Sequence, residues 1–297
     1  MLFRPLRQIA DKFNTLQMGM VAAKRVFEIL DSNYYINDSG NINSKDLNGD
    51  IKFENVNFSY TKNNNVLNDI NLTIKKGEKI AIVGATGSGK STIIKLIMRL
   101  YDIKDGEIKI NNKNIKNFKL SDLRSSISLV NQDIFLFADT ILKNITLFNE
   151  ELSKKDVVKA AQNIGVWNFI NKLPGGLDYN VKERGVMLSE GQRQIISFLR
   201  AYVSKPNILI LDEATSSIDS KTEELIQFAT NKIIQNKTSI IIAHRLSTII
   251  NSDKIVVMKS GNIMEIGSHN DLINNNGYYK KLYESQFEKK ELFAEIF

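Results

Sequence analysis

The chain has 297 residues, no cysteine and a formal net charge of +7, with 42% hydrophobic and 25% charged residues. That composition is ordinary for a soluble globular protein; it excludes disulfides and thiolate metal sites and leaves no run near the ~20 apolar residues that span a bilayer. The basic surplus admits a polyanionic partner, but the lysines are scattered among asparagines, as in Asn111-Asn112-Lys113-Asn114, and read as solvated loops rather than as a nucleic-acid surface. Arg4 and Arg7 lead into no compact apolar core, so no signal peptide is expected.

Residues 1 to about 31 read as one long helix. Leu6, Ile9, Phe13, Leu16, Met20, Ala23, Phe27 and Leu30 recur at alternating steps of three and four, the heptad pattern of a helix that lays one stripe on a partner. Residues 32–50 are dominated by turn formers such as Asn37-Asp38-Ser39-Gly40-Asn41 and read as a linker. From Ile51 the pattern becomes α/β. Ile51–Phe58 and Val66–Ile74 alternate as half-exposed strands, Lys79–Val83 is a short buried strand, and Gly106–Ile110 is another strand. The region from about 134 to 203 is mostly helical. Ile208–Leu211 and Ser239–Ala243 are wholly apolar, the mark of parallel strands buried on both faces. Lys254–Met258 and Asn262–Ile266 read as a closing hairpin around Ser260-Gly261.

Gly84-Ala85-Thr86-Gly87-Ser88-Gly89-Lys90-Ser91-Thr92 joins the 79–83 strand to a helix over Ser91–Leu100. Glycines in such a loop let backbone N–H groups turn inward, and the helix N-terminus adds partial positive charge, so the segment is a phosphate cradle. Lys90 is expected to reach the β- and γ-phosphates and the Ser91 hydroxyl to hold Mg²⁺. Asp212 and Glu213 end the strand 208–211. Asp212 is placed to hold the Mg²⁺ hydration shell, and Glu213 to orient or deprotonate an attacking water. Other residues are ambiguous on their own. His244 follows a strand end and reads either as a γ-phosphate ligand or as a structural histidine. Gln132 follows Leu129-Val130 and suits a releasable metal or water ligand. Tyr60 reads as a base-stacking ring or as packing. Ser189 is a good N-cap, and Gly191 leaves N–H groups approachable before Gln192, which makes a second anion-binding helix terminus.

Taken in order, these pieces resemble the nucleotide-binding domain of ATP-binding cassette transporters, specifically the exporter branch, over residues 51–290. Tyr60 resembles the adenine-stacking loop, Gly84–Thr92 the Walker A motif, Gln132 the Q-loop and Leu188–Gln192 the signature motif. Ile208–Glu213 resembles Walker B, Ser217-Ile218-Asp219 the D-loop, His244 the switch histidine and Glu183-Arg184-Gly185 the exporter X-loop. Two details depart from the usual pattern: Glu190 stands third in the signature where glycine is frequent, and Lys182 replaces a glycine often seen before Glu-Arg-Gly. Residues 1–31 resemble the cytoplasmic end of the last transmembrane helix of such exporters, and 291–297 is left as a tail.

The resemblance implies an α/β phosphate-loop ATPase core of mostly parallel sheet, with an antiparallel β subdomain and a helical subdomain. It implies Mg²⁺-ATP hydrolysis with Glu213 as base, and His244, Lys90 and Gln132 at the reacting phosphate. It further implies head-to-tail pairing with a second nucleotide-binding domain, ATP lying between one Walker A motif and the other signature. A membrane domain would be the working partner, at the cytoplasmic face of the cell membrane, with no nucleic acid. The alternative, a soluble cassette ATPase acting on nucleic acid or ribosomes, usually carries tandem cassettes or a long coiled-coil insertion, and neither is in this sequence.

Overall fold

The computed structural model describes residues 3–32, 35–43, 47–61, 64–212, 219–242 and 246–285. Backbone contacts separate two units, one up to Asn37 and one from Asp38 onward. The first is the helix α1 (Phe3–Leu30), none of whose residues is buried. Its stripe is matched by further exposed apolar side chains at Met18, Val21, Val26 and Ile29, and Lys24 and Glu28 pair one turn apart at 3.9 Å. Among the described residues no helix is long and apolar enough to cross a membrane.

The second unit begins with β1 (Ile51–Phe58), β2 (Leu67–Ile74) and β3 (Lys79–Gly84), followed by α2 (Lys90–Ile97), β4 (Asp105–Ile110) and β5 (Lys113–Asn114). Then come α3 (Leu120–Ser125), β6 (Ile127–Val130) and the helical stretch α4 (Ile141–Thr146), α5 (Lys154–Asn163), α6 (Trp167–Asn171) and α7 (Glu190–Val203). The chain returns through β7 (Ile208–Asp212), α8 (Ser220–Ile234), β8 (Thr238–Ile242), α9 (Leu246–Ile250), β9 (Lys254–Lys259) and β10 (Asn262–Gly267) to α10 (His269–Asn274) and α11 (Tyr278–Tyr283). Helix starts follow their side chains. Ser153, Ser189 and Ser268 each form a reciprocal capping box with the residue three positions on, and Asp219 caps α8.

Two sheets result. The antiparallel one runs β2-β1-β4-β5, and the larger runs β10-β9-β3-β8-β7-β6, parallel except for the β9–β10 hairpin. The fold is therefore the α/β arrangement expected from the apolar strands. Side-chain alternation along the large sheet divides its residues between two cores. Ala81 and Val83, Leu209 and Leu211, Ile241, and Ile255 and Val257 pack with the helical layer. Ile80 and Ile82, Ile208 and Ile210, Ile240 and Ile242, and Val256 and Met258 pack with the antiparallel sheet and α2. A sheet covered on both faces explains why these strands carry no polar alternation.

The C-terminal helices are held by polar contacts. The Glu265 carboxylate accepts from the backbone N–H groups of Tyr278 at 2.6 Å and Tyr279 at 2.9 Å, and His269 Nδ1 lies 2.8 Å from the Tyr279 hydroxyl. Burial, helped by Tyr283, pushes the Tyr279 phenol up to about 12. Burial also holds the His269 imidazole below its ordinary value. A depressed histidine means that the unfolded chain takes up the proton first. Stability is then full above about pH 6.5 and falls as the pH drops from there toward the folded-state value. Urea unfolding at pH 8 and pH 5.5 should show this loss in the wild type and a smaller one in His269→Gln. Equal losses in both proteins would assign the effect elsewhere.

Candidate functional site

The register of the large sheet places the sequence-predicted groups along one edge. Ile82, Ile242 and Asp212 lie in one row across β3, β8 and β7, and Val130 of β6 pairs with Leu211 one position back. Gly84, Asp212 and the segment carrying Gln132 therefore all leave the sheet at the carboxyl ends of parallel strands, where open α/β sheets collect ligands. Glu213 and His244, the residues that follow Asp212 and the β8 strand, lie outside the described residues, as do Ser217 and Ile218.

The loop between β3 and α2 has the geometry of an anion cradle. Gly84, Gly87 and Gly89 have φ of 154°, 79° and 104°. Gly84 is also sterically obligatory, because a Cβ there would sit 2.2 Å from the Met258 carbonyl oxygen, whereas one on Gly89 would press on the Leu67 side chain, 2.6 Å from Cδ2. Gly87 faces open space. Lys90 folds back over the loop, its Nζ donating to the carbonyls of Gly84 at 2.8 Å and Ala85 at 3.0 Å. Burial holds this ammonium below the usual lysine range, with the Asp212 charge acting in the opposite direction. Next to it, Ser88 Oγ is buried and has no hydrogen-bond partner among the described residues. A buried hydroxyl without a partner costs about 1–3 kcal/mol, so the loop offers a donor to an incoming acceptor. Ser91 and Thr86 are exposed and Thr92 is buried.

Tyr60 stands at the edge of this loop. Its ring meets Phe58 and Tyr101 edge-on at 4.9 and 5.0 Å, its hydroxyl is 3.1 Å from Thr92 Oγ1, and Lys95 Nζ lies 5.5 Å from the ring centroid. Gln132 is exposed just past β6. Ser189, Gly191 and Gln192 sit apart from the loop, at the start of α7, which packs on α4, α5, α8 and β6. There the Ser189 hydroxyl accepts from Gln192 N at 3.3 Å, and the Gln192 side-chain oxygen accepts from Ser189 N at 3.0 Å. The Ser-x-x-Gln spacing carries that capping box, with Ser189 as the N-cap expected from the sequence and Gln192 as its reciprocal partner.

The ABC transporter family matches residues 67–216, half of the chain, including the loop and the start of α7. The chain belongs to the ABC transporter family. Among curated ABC relatives it is 43% identical to "Uncharacterized ABC transporter ATP-binding protein YknV" of Bacillus subtilis (strain 168) over 288 residues, 97% of this chain and 48% of that protein. It is 46% identical to the "ATP-dependent lipid A-core flippase" of Pseudoalteromonas translucida (strain TAC 125) over 290 residues, 97% of this chain and 50% of that protein. A solved bacterial Atm1-family ABC exporter with ATP bound superposes with a TM-score of 0.81 at 35% identity, covering 96% of this chain and 50% of its own. The chain thus spans about half the length of the relatives it matches.

This ABC chain departs from easy backbone geometry just before α7. Lys182 has φ 60° and ψ −174°, a region essentially reserved for glycine and costing about 1–3 kcal/mol for other residues. Arg184 follows at φ 52° and Gly185 at φ 68°. Replacing Lys182 by glycine removes more strain than the ~0.5–1 kcal/mol that glycine adds through chain entropy. Lys182→Gly should therefore raise the unfolding free energy by about 1 kcal/mol, read by urea denaturation. A loss of stability would show that the Lys182 side chain, not its backbone, governs the segment.

Proposed function

We propose that the chain is the ATP-binding and ATP-hydrolysing part of an ABC exporter. The observation that carries this reading is the Lys90–Ser88 loop: a buried cation bonded to its own loop's carbonyls, beside a hydroxyl with no hydrogen-bond partner among the described residues, at the edge where β3, β7 and β8 end. Each group suits a polyphosphate. The loop N–H groups and Ser88 Oγ donate to phosphate oxygens, and Lys90 exchanges the Gly84 and Ala85 carbonyls for the β- and γ-phosphates. Tyr60 offers its ring to the adenine, beside the loop end of α2.

Among the described residues no cluster of three His, Cys, Asp or Glu side chains forms a metal cage. A Mg²⁺ ion at this edge would be held by Ser91, Asp212 and Gln132 together with substrate phosphates, the ligand set that this ion prefers. When bound, it supplies charge neutralisation of the transferring phosphate. Glu213 takes the proton of the attacking water, and His244 stabilises charge on the γ-phosphate.

Ser189, Gly191 and Gln192 form a second anion-binding terminus away from the first. Two copies, or this chain and a similar cassette, placed head to tail would bring one loop against the other's α7 terminus across the same ATP. Hydrolysis then releases the bridge, and a membrane half at the cytoplasmic face would convert closing and opening into export. The aromatic patch of Phe135, Phe137 and Phe148, exposed and in edge-to-face contact at 5.2 and 5.9 Å, suits contact with such a partner. The lipid A-core named for one relative marks a lipid-like compound as a candidate cargo.

Glu213→Gln should hydrolyse ATP at least a hundredfold more slowly and elute as a dimer in size-exclusion chromatography only with Mg²⁺-ATP. Turnover at the wild-type rate would remove Glu213 from the role of base. Ser88→Ala deletes the orphan hydroxyl, so the nucleotide-free protein should gain about 1 kcal/mol of stability while its ATP affinity falls severalfold. Unchanged affinity would show that Ser88 donates nothing to phosphate.

A further inference from the structure

The phosphate loop does not stand on β3 and α2 alone. The β9–β10 hairpin turns through Ser260 and Gly261, with φ of 47° and 80°, the two-residue geometry that suits a tight hairpin. The turn lies against the loop. Gly261 N donates to the Ser88 carbonyl at 3.1 Å, and the Gly261 carbonyl accepts from Asn68 N at 2.9 Å. A continuous line of backbone bonds thus runs from the start of β2, through the hairpin turn, into the phosphate loop. The surroundings leave no slack. A Cβ on Gly261 would lie 2.4 Å from the Val66 carbonyl oxygen and 3.0 Å from Asn68 Nδ2. Below the loop, Met258 and Val66 approach the Gly84 and Gly89 backbone in the same way, with the Met258 carbonyl at 2.2 Å from the Gly84 Cβ position and the Val66 carbonyl at 3.3 Å from that of Gly89.

We infer that the Ser260–Gly261 turn is a clasp that fixes the phosphate loop, and that Gly261 is a positioning residue for nucleotide binding although it touches no nucleotide. The inference rests on the ATP reading above. The Ser88 carbonyl is the handle. Holding it fixes the Ser88–Gly89 peptide plane, and with it the direction of the Gly89 N–H and the backbone from which the Ser88 hydroxyl projects. The clasp also joins the two ends of the site. Tyr60 and Val66 belong to the same β1–β2 connection, so a shift of that connection toward a base reaches the phosphate loop through Asn68 and Gly261.

A matched pair of variants separates clasp from backbone strain. Gly77 has φ 77°, nearly that of Gly261, but a Cβ there meets nothing within 4 Å. Gly261→Ala and Gly77→Ala therefore carry similar conformational strain, and only the first pushes the turn away from Val66. Binding of a fluorescent N-methylanthraniloyl ATP with Mg²⁺ is titrated for both variants and the wild type, alongside thermal unfolding without nucleotide and steady-state turnover. The expected result is a Kd raised at least tenfold for Gly261→Ala and within twofold of wild type for Gly77→Ala, with both melting a few degrees lower. ATP turnover of Gly261→Ala should show the same rise in KM, with kcat changed less than threefold. Asn68→Pro removes the N–H that bonds the Gly261 carbonyl on the side of edge strand β2 away from β1, so no ladder bond to β1 is lost, and it should raise Kd severalfold. If Gly261→Ala does not fold, Asn68→Pro decides the matter alone. Affinity in Gly261→Ala equal to that in Gly77→Ala, or unchanged affinity in Asn68→Pro, overturns the clasp. A wild-type protein that binds no ATP overturns the ATP reading and the clasp with it.

Discussion

Ile80 and Ile82 point into one core while Ala81 and Val83 point into the other, so β3 is gripped from both sides and cannot slip by a residue without exchanging the two sets. Everything at the site inherits its position from that grip. β3 has parallel neighbours on both sides, β8 and β9, with hydrogen-bonded register along its whole length. The chain therefore leaves the sheet at a defined point and angle, and the glycines that follow need only turn, not search. Preorganisation of this kind matters because fixing a loop at the moment of binding would cost about 1–2 kcal/mol per residue of backbone entropy.

The loop is held in a condition that favours a ligand. Lys90 is buried, its ammonium bonded to neutral carbonyls of its own loop and stabilised by the Asp212 charge. A phosphate oxygen is a better acceptor than a carbonyl because it carries charge, so moving the ammonium from one to the other is downhill. The Ser88 hydroxyl, without a hydrogen-bond partner among the described residues, would gain a whole hydrogen bond in the same event. The segment before α7 is strained at Lys182. The two helix starts thus differ in kind: the loop before α2 is held rigidly, while the segment before α7 is conformationally loaded.

Much of this was legible in the sequence because the signals were local or strictly periodic. The all-apolar strands 208–211 and 239–243 declared a sheet covered twice, and the glycine spacing with Lys90 declared the cradle. Ser189 was readable as a cap, while its reciprocal bond with Gln192 needed the spacing of three to be weighed as structure and not as ligand chemistry. The short strand β6 left only the strand end at Leu129-Val130 to read, because it is four residues long and the exposed Asn131 and Gln132 follow it. The positive φ at Lys182 was invisible in a lysine, and only the resemblance marked the position as one where glycine is usual. Least readable was the contact of Gly261 with Ser88. It joins residues more than 170 positions apart through main-chain atoms, and no side-chain pattern encodes a bond that any residue type can make.

The division of the large sheet between two cores has a consequence for how this protein can change. Neighbouring residues of one strand belong to different mechanical neighbourhoods. A volume change at Ile82 is felt by α2 and the antiparallel sheet, whereas one at Val83 is felt by the helical layer that carries α7. Substitutions one peptide bond apart on β3, β7, β8 or β9 are therefore nearly independent experiments of nature. The lobe that carries Tyr60 and the lobe that carries the start of α7 can each drift through their own set of alternating positions while the strand between them keeps its place.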